Sequence, residues 1–435
     1  LLPFWWIFGL EQFIWPVVLT WSLFKLLKFS NFRVRIFPST RLLFLFLIAY
    51  FTSGFFIVES YRLMTFLRSF SYNYAAICIL LIVTNTCNND DDVISVLKSV
   101  LFAYGLSVIL GMLAILDIFR PSFQSPIGYI LPGSIKDMQL VRQIVNQSFG
   151  NMGWFTWFGG RYFRLTSFGL YHTHYGAAMA VVIPLYLSIF YWSRSNLLKV
   201  VGGVLIVFAL VNLAHTTARV AILGFALGGV YFAVIYLFRG NLRRLLHVAL
   251  FTVITAAVLL VVGGIVPQIW DALTDMGQDF VFARGAGSFN SRFAVYIVTL
   301  QGWLDSPWFG WGTERHVEGM TFPAGSHSYY LGILYKHGLF GLVTFAILAF
   351  SLWRYTSPLR VVSTSMVQYS ILRFGRWILI ALAMYGFTDA IDLDAILMAN
   401  VWTVLAILLV LGHPEYGKEG RRAAKQVANS SSNSA

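Results

Sequence analysis

His327 stands in the run Ala324-Gly325-Ser326-His327-Ser328-Tyr329-Tyr330, where a long stretch of mixed polarity meets an apolar one. An imidazole with an unperturbed pKa of about 6.5 accepts a proton at neutral pH and can serve as general base toward a hydroxyl. The competing reading is a histidine that bonds neighbouring backbone to start a helix. Ser328 has the chemistry of an N-cap, which places His327 just ahead of the helix, on an exposed face.

Arginines supply the second kind of chemistry. Arg219 closes His215-Thr216-Thr217-Ala218-Arg219 between two apolar runs. A guanidinium facing into a helix bundle is costly unless paired, so a functional role is weighed against snorkelling to lipid phosphate. Arg292 falls in the first turn of a predicted helix, where a cation opposes the helix dipole and a bound anion reverses the sign. Its alternative is a solvated surface arginine. Arg161 and Arg164 precede a further apolar run. A pyrophosphate would account for these cations, because a guanidinium grips phosphate oxygens as a bidentate fork and keeps its charge.

Asp389, Asp392 and Asp394 cluster in a short turn. One of them can orient His327 or pair with an arginine, and Asp389 is taken as the substrate-side candidate. Helix capping in a solvated turn suits Asp392 and Asp394 better. His172 and His174 read as structural, having no acidic neighbour to orient them. Asp90-Asp91-Asp92 precedes an apolar run and reads as helix capping. Cys78 and Cys87 are too few for a disulfide framework or a four-ligand metal site. There is no Walker-type loop, dinucleotide glycine motif or zinc spacing. No metal or cofactor is expected, and the energy for a reaction would come from the substrate.

The elements that position these residues are membrane spans. Of 435 residues, 58% are hydrophobic and 11% charged, where a soluble domain carries about 25% charged residues. Mean hydropathy is +0.72. Many stretches reach the roughly 20 apolar residues that cross a bilayer, so the fold class is an all-α polytopic membrane protein. A transmembrane barrel would show short alternating strands instead. Spans are predicted at 4–27, 40–58, 67–84, 93–119, 169–192, 197–215, 217–238, 245–265, 328–352, 374–391 and 395–411, and a further span ahead of Leu1 would make twelve. No signal peptide is evident at the visible start.

Lys25, Lys28, Arg33, Arg35, Arg41, Arg194, Lys199, Arg239, Arg243, Arg244, Arg354, Arg360, Arg373 and Arg376 alternate to one face with the tail, which the positive-inside rule makes cytoplasmic. This explains the net charge of +13 without nucleic acid. Arg161, Arg164, Arg219 and Arg292 then lie on the opposite face. The chain divides into helices over 1–265 with a loop at 120–168, a large loop at 266–327, further helices at 328–411, and a cytoplasmic tail at 412–435. Phe293, Tyr296, Ile297, Leu300, Trp303 and Leu304 predict an amphipathic helix over 291–304, capped by Ser288 or Asn290 and ended by Asp305-Ser306-Pro307.

Together these stretches resemble the O-antigen ligase and polymerase superfamily of bacterial envelope glycosyltransferases. Thr217-Ala218-Arg219 is similar to the family's Ser-Arg at a span start. Ser306-Pro307-Trp308-Phe309-Gly310-Trp311-Gly312 is similar to its Pro-x-x-Gly-x-Gly. Ser326-His327-Ser328-Tyr329-Tyr330-Leu331 and Gly338-Leu339-Phe340-Gly341-Leu342 resemble its His-Asn or His-Ser, span and Gly-Leu-Leu-Gly. Arg164-Leu165-Thr166-Ser167-Phe168-Gly169 looks like its Arg-x-x-Gly. Ser328 replaces the commoner Asn, and Lys336-His337 stands where an acidic residue often precedes the glycine.

The resemblance implies a fold of about twelve helices of the membrane glycosyltransferase C type. It implies a glycan donor on undecaprenyl pyrophosphate and inverting, metal-free transfer at the periplasmic face of the inner membrane. His327, Arg219 and Arg292 would be catalytic; Arg161, Arg164 and Asp389 would bind substrate. As an O-antigen ligase the protein would use a lipid A-core acceptor in lipopolysaccharide biosynthesis, with membrane lipids around it. Two alternatives stand beside that reading. One is an O-antigen or exopolysaccharide polymerase of the same superfamily. The other is a lipid-linked glycan transporter or flippase, which predicts discontinuous helices and charges near mid-bilayer, where Glu11 and Lys336 are the candidates.

Overall fold

The computed structural model describes residues 2–10, 14–57, 59–133, 139–155, 160–169, 171–237, 285–320, 322–356, 365–388, 396–413 and 416. Its helices are α1 (Leu2–Phe8), α2 (Ile14–Phe29), α3 (Pro38–Ser53), α4 (Ser60–Thr86), α5 (Asp90–Ile115), α6 (Pro126–Ile130), α7 (Gln139–Val145), α8 (His172–Trp192), α9 (Asn196–His215), α10 (Arg219–Leu237), α11 (Gly285–Leu304), α12 (Tyr329–Tyr355), α13 (Met366–Tyr385) and α14 (Ile396–Gly412). Among the described residues six helical stretches are long and apolar enough to cross a membrane: Pro38–Phe56, Arg62–Thr86, Asp90–Ile115, His172–Trp192, Asn196–His215 and Tyr329–Tyr355. Arg219–Ile235 and Met398–Gly412 are shorter apolar helices. The protein is an all-α polytopic membrane protein.

At the core, α8 packs against α9, α10, α13 and α14. Almost every residue from His174 to Ile189 is buried, as are Met398–Leu411 in most positions. A helix that is apolar all round belongs inside a bundle, with no face left for solvent. Gly224 and Gly228, four apart on α10, let that helix lie against α13. A Cβ at Gly224 would stand 2.8 Å from the carbonyl oxygen of Ala381, and one at Gly228 would strike the Trp377 ring. Small residues at this spacing permit close backbone approach between membrane helices.

Contacts between helix ends sort the molecule into two poles. At one, Asn89 caps α5 reciprocally with Asp92, a device worth about 1 kcal/mol, so the triple aspartate is helix capping as expected. Tyr416 donates to Asp90 at 2.8 Å, His413 stacks on Phe37 at 4.2 Å, and the Arg35 guanidinium meets Asn88. At the other, the amide of Tyr329 donates to the carbonyl of Gly386 at 2.8 Å and Arg62 reaches Trp311. The alternation of spans therefore holds wherever these contacts sample it.

Several boundaries differ from expectation. The first span is two helices, broken after Phe8, with Gly9 at φ +72°. Arg373 and Arg376 lie inside α13 instead of a loop, because aromatic rings shelter them: Tyr191, Phe232 and Tyr369 face Arg373, and Trp353 faces Arg376. The loop at 120–168 holds two antiparallel strand pairs, β1 (Ser122–Gln124) with β2 (Asn146–Ser148) and β3 (Gly150–Phe155) with β4 (Gly160–Leu165). The span expected at 245–265, Glu11 and almost all of the tail lie outside the described residues.

One helix is interrupted. Within α12, Gly338 adopts φ +65°, and two helical hydrogen bonds are replaced. In a continuous helix the amides of Leu339 and Phe340 would bond the carbonyls of Tyr335 and Lys336. Here those amides donate instead to Pro307 at 2.8 Å and Trp308 at 3.2 Å. The two carbonyls accept from Trp311 at 3.0 Å and Gly312 at 2.8 Å. The segment Pro307–Gly312 is thus inserted into the gap, and these four backbone groups opened by the break are satisfied, as a low-dielectric setting demands.

Candidate functional site

The turn between α9 and α10 sets Arg219. Thr216 Oγ1 donates to the carbonyl of Leu213 at 2.6 Å and accepts from the Ala218 amide at 3.2 Å. Thr217 sits at φ +54°, a conformation that a β-branched residue rarely adopts. Gly176 of α8 lets this turn approach, since a Cβ there would stand 2.7 Å from that of Ala218.

The charges of Arg292 and Arg164 both act on the Arg219 guanidinium, so three arginines from three separate elements share one electrostatic neighbourhood. Arg164 is half-buried in β4, and burial lowers its pKa. Two residues earlier on the same strand face, Tyr162 stacks on His215 with ring centroids 5.1 Å apart. Its hydroxyl lies 3.1 Å from His215 Nδ1, which ties β4 to the end of α9 four residues before Arg219. Burial pushes the Tyr162 phenol up to about 12.

Arg292 is not in a first helical turn. The helix begins at Gly285, two turns earlier, so neither Ser288 nor Asn290 caps it and the dipole argument for an anion at Arg292 falls. What places Arg292 is its face of α11. Four residues on, Tyr296 lies above it, and the Arg292 charge opposes the rise that burial gives the Tyr296 phenol.

Tyr296 connects this face to His327. Its hydroxyl donates to the His327 carbonyl at 2.8 Å. His327 is half-buried, at φ +59°, with Phe322 edge-on to its ring at a centroid separation of 4.2 Å. Ser328 caps α12 by accepting from Leu331, as the sequence predicts. His327 therefore stands ahead of the helix in a left-handed conformation, one uncommon for a residue with a side chain. Ser167, Thr217 and His327 all have positive φ, and each is, or lies within three residues of, a candidate site residue. Backbone strain gathers at functional sites more than elsewhere.

The remaining candidates divide. Arg161 lies in β4 opposite Trp154. Asp389, like Asp392 and Asp394, lies outside the described residues. His174 is buried, with Tyr171 and Tyr385 edge-on to its ring, in keeping with a structural role. Lys336 is not a lone mid-bilayer charge: Glu314 of the loop stands 3.7 Å from it. His337 is buried against Tyr50 and bonds Ser53 at 3.0 Å.

Sequence reasoning missed Tyr296 as more than an apolar helix position. It also missed Arg62, whose loop partners Trp311 and Thr313 lie 249 and 251 positions away. The glycines of Pro307-Trp308-Phe309-Gly310-Trp311-Gly312 were the available signal for the inserted segment, since Gly310 and Gly312 both have positive φ.

A bundle of membrane-crossing helices with guanidinium groups and a histidine gathered at one pole is that of a multi-pass membrane protein. Residues 204–346 match the family model described as O-antigen ligase, and the matched stretch contains Arg219, Arg292 and His327. Over that stretch the chain is similar to the O-antigen ligase family. No curated protein matches it.

Proposed function

We propose that the protein is an O-antigen ligase. It transfers a glycan from undecaprenyl pyrophosphate to a hydroxyl of the lipid A-core oligosaccharide at the periplasmic face of the bacterial inner membrane. The observation that carries this reading is the meeting of Arg164, Arg219 and Arg292 on one pole, with His327 tied to the same helix as Arg292. A diphosphate offers oxygens that several guanidinium groups can grip at once as bidentate forks.

In the reaction, the acceptor hydroxyl gives its proton to the His327 imidazole as its oxygen bonds the anomeric carbon of the donor sugar. The bond from that carbon to the pyrophosphate oxygen breaks on the opposite side, and the leaving group takes the electron pair. One displacement inverts the anomeric configuration. Charge grows on the pyrophosphate as the bond breaks, so Arg219 and Arg292 act most strongly in the transition state. Arg164, Arg161 and Asp389 serve substrate binding. The polyprenyl tail lies along the apolar helices.

The interrupted helix α12 is the feature expected of a transporter, yet it weighs little for one here. Its open backbone groups are taken up by Pro307–Gly312 and not by a binding cavity, and the neighbouring Lys336 faces Glu314.

Purified protein in detergent, given lipid-linked glycan and lipid A-core acceptor without a membrane potential, tests the reading. Glycan attached to the core, lost in His327→Ala while the protein remains folded, is the expected result. Lengthening of the lipid-linked chain instead would mark a polymerase. Absence of any glycan transfer would sink the glycosyltransferase reading.

A further inference from the structure

Arg62 opens the span Arg62–Thr86, yet its guanidinium is 4% exposed and fully engaged. Nη1 donates to Glu59 at 2.6 Å, Nε to Thr313 Oγ1 at 2.9 Å, and Nη2 to the carbonyls of Trp311 at 2.6 Å and Thr313 at 3.5 Å. Glu59 also faces Arg315 at 3.8 Å, and the Arg315 guanidinium lies over the Trp311 ring at 4.2 Å.

From there the loop runs to His327 through short ties. Arg315 and Ala324 exchange both backbone hydrogen bonds, at 3.3 and 2.9 Å, which closes the intervening chain into a small antiparallel loop. The next residue, Gly325, donates its amide to Thr299 Oγ1 of α11 at 2.9 Å. Ser326 donates to the Pro323 carbonyl at 2.6 Å, and His327 follows. The far side of the same loop is the segment inserted into α12. The chain from Trp311 to His327 is therefore held at its base by α12, at its tip by α11, and at its first turn by a single buried guanidinium.

We propose that Arg62 is a positioning residue for His327: by holding Trp311 and Thr313 it sets the loop that presents the imidazole to the acceptor. From α4 the Arg62 guanidinium reaches that loop through three hydrogen bonds. A lysine in its place can make one or two of these bonds but not the fork that reaches Glu59, Trp311 and Thr313 at once. The proposal rests on the reading of His327 as the base.

Arg62→Met, Arg62→Lys and Thr313→Val test it by two readouts. The first is amide hydrogen exchange, which needs no activity. Arg62→Met is expected to raise exchange over residues 313–327 while α8 and α13 keep that of the wild type. The second is the kinetic split. kcat is expected to fall by roughly ten- to a hundred-fold, the scale of a 1 Å misplacement, with KM for the lipid-linked donor held within about two-fold. Arg62→Lys should recover part of kcat. Thr313→Val, which removes one acceptor and leaves the charge, should show the same pattern more weakly and covers the case in which Arg62→Met does not fold. Unchanged exchange over 313–327, or a loss of kcat matched by an equal change in donor KM, overturns the proposal. Raised local exchange in a protein whose wild type transfers no glycan would uphold the loop tie and refute His327 as base.

Discussion

The hydroxyl of Tyr296 donates to the carbonyl oxygen of His327 at 2.8 Å, so the residue that holds the histidine's backbone lies one helical turn beyond Arg292. The same hydroxyl stands 3.4 Å from the carbonyl of Phe387, at the end of α13. One phenol thus joins the helix bearing Arg292 to the histidine and to the bundle. Tyr296→Phe keeps the ring and removes this tie, at a cost of about 1 kcal/mol in stability. Glycan transfer should fall roughly ten-fold, since a left-handed residue that loses its anchor relaxes toward commoner backbone angles. Steady-state kinetics beside a thermal midpoint checks it, and unchanged kcat would show that the bond does not set the imidazole.

Arg219→Lys conserves charge and loses the planar fork. Transfer should drop by about 100-fold, the scale of removing one donor aimed at developing charge. Arg292→Lys should behave alike. Normal turnover in the lysine variants would mean that the guanidinium groups act only as point charges.

Gly338→Ala places a methyl against the backbone of Trp308 at a position with φ +65°. The neighbour is backbone, which cannot swing aside, and the left-handed angle alone costs about 1 kcal/mol or more for a residue with a Cβ. The inserted segment should be expelled. A thermal midpoint several degrees lower, with trypsin cleavage at Arg315, is expected; a variant of wild-type stability would refute the inserted geometry.

Glu59 predicts a pH effect with a definite sign. Its hydrogen bond from Arg62 holds the carboxyl below its ordinary value of 4.5. A depressed folded pKa adds stability that is fully present above the unfolded value and disappears as pH falls through the folded one. Glu59→Gln should therefore be less stable than the wild type at neutral pH, and the gap should close below about pH 4.5. Melting curves from pH 7 to pH 3 measure it. A gap that widens in acid would reverse the assignment.

Much of the fold was legible from local pattern. The spans that begin near Pro38, His172, Asn196, Arg219 and Tyr329 follow from apolar run lengths, and the caps at Asn89 and Ser328 involve partners three residues away. The start of α11 was misplaced because Gly285-Ala286-Gly287-Ser288 carries no apolar period and two glycines, so nothing local announces a helix there.

Composition and order alone determined a membrane protein, the pole on which its unusual arginines lie, and which imidazole stands ahead of a helix. Those follow from burial of apolar runs in lipid and from hydrogen bonds between near neighbours. Only the folded chain decided that Arg164, Arg219 and Arg292 converge, that Tyr296 holds His327, and that Pro307–Gly312 fills the break at Gly338. Arg62 and Trp311 are 249 positions apart, and no period in the sequence encodes such a pair. Contacts of that reach exist only once helix packing has brought the loops to a common pole, where each unsatisfied backbone group in a dry setting must find a partner.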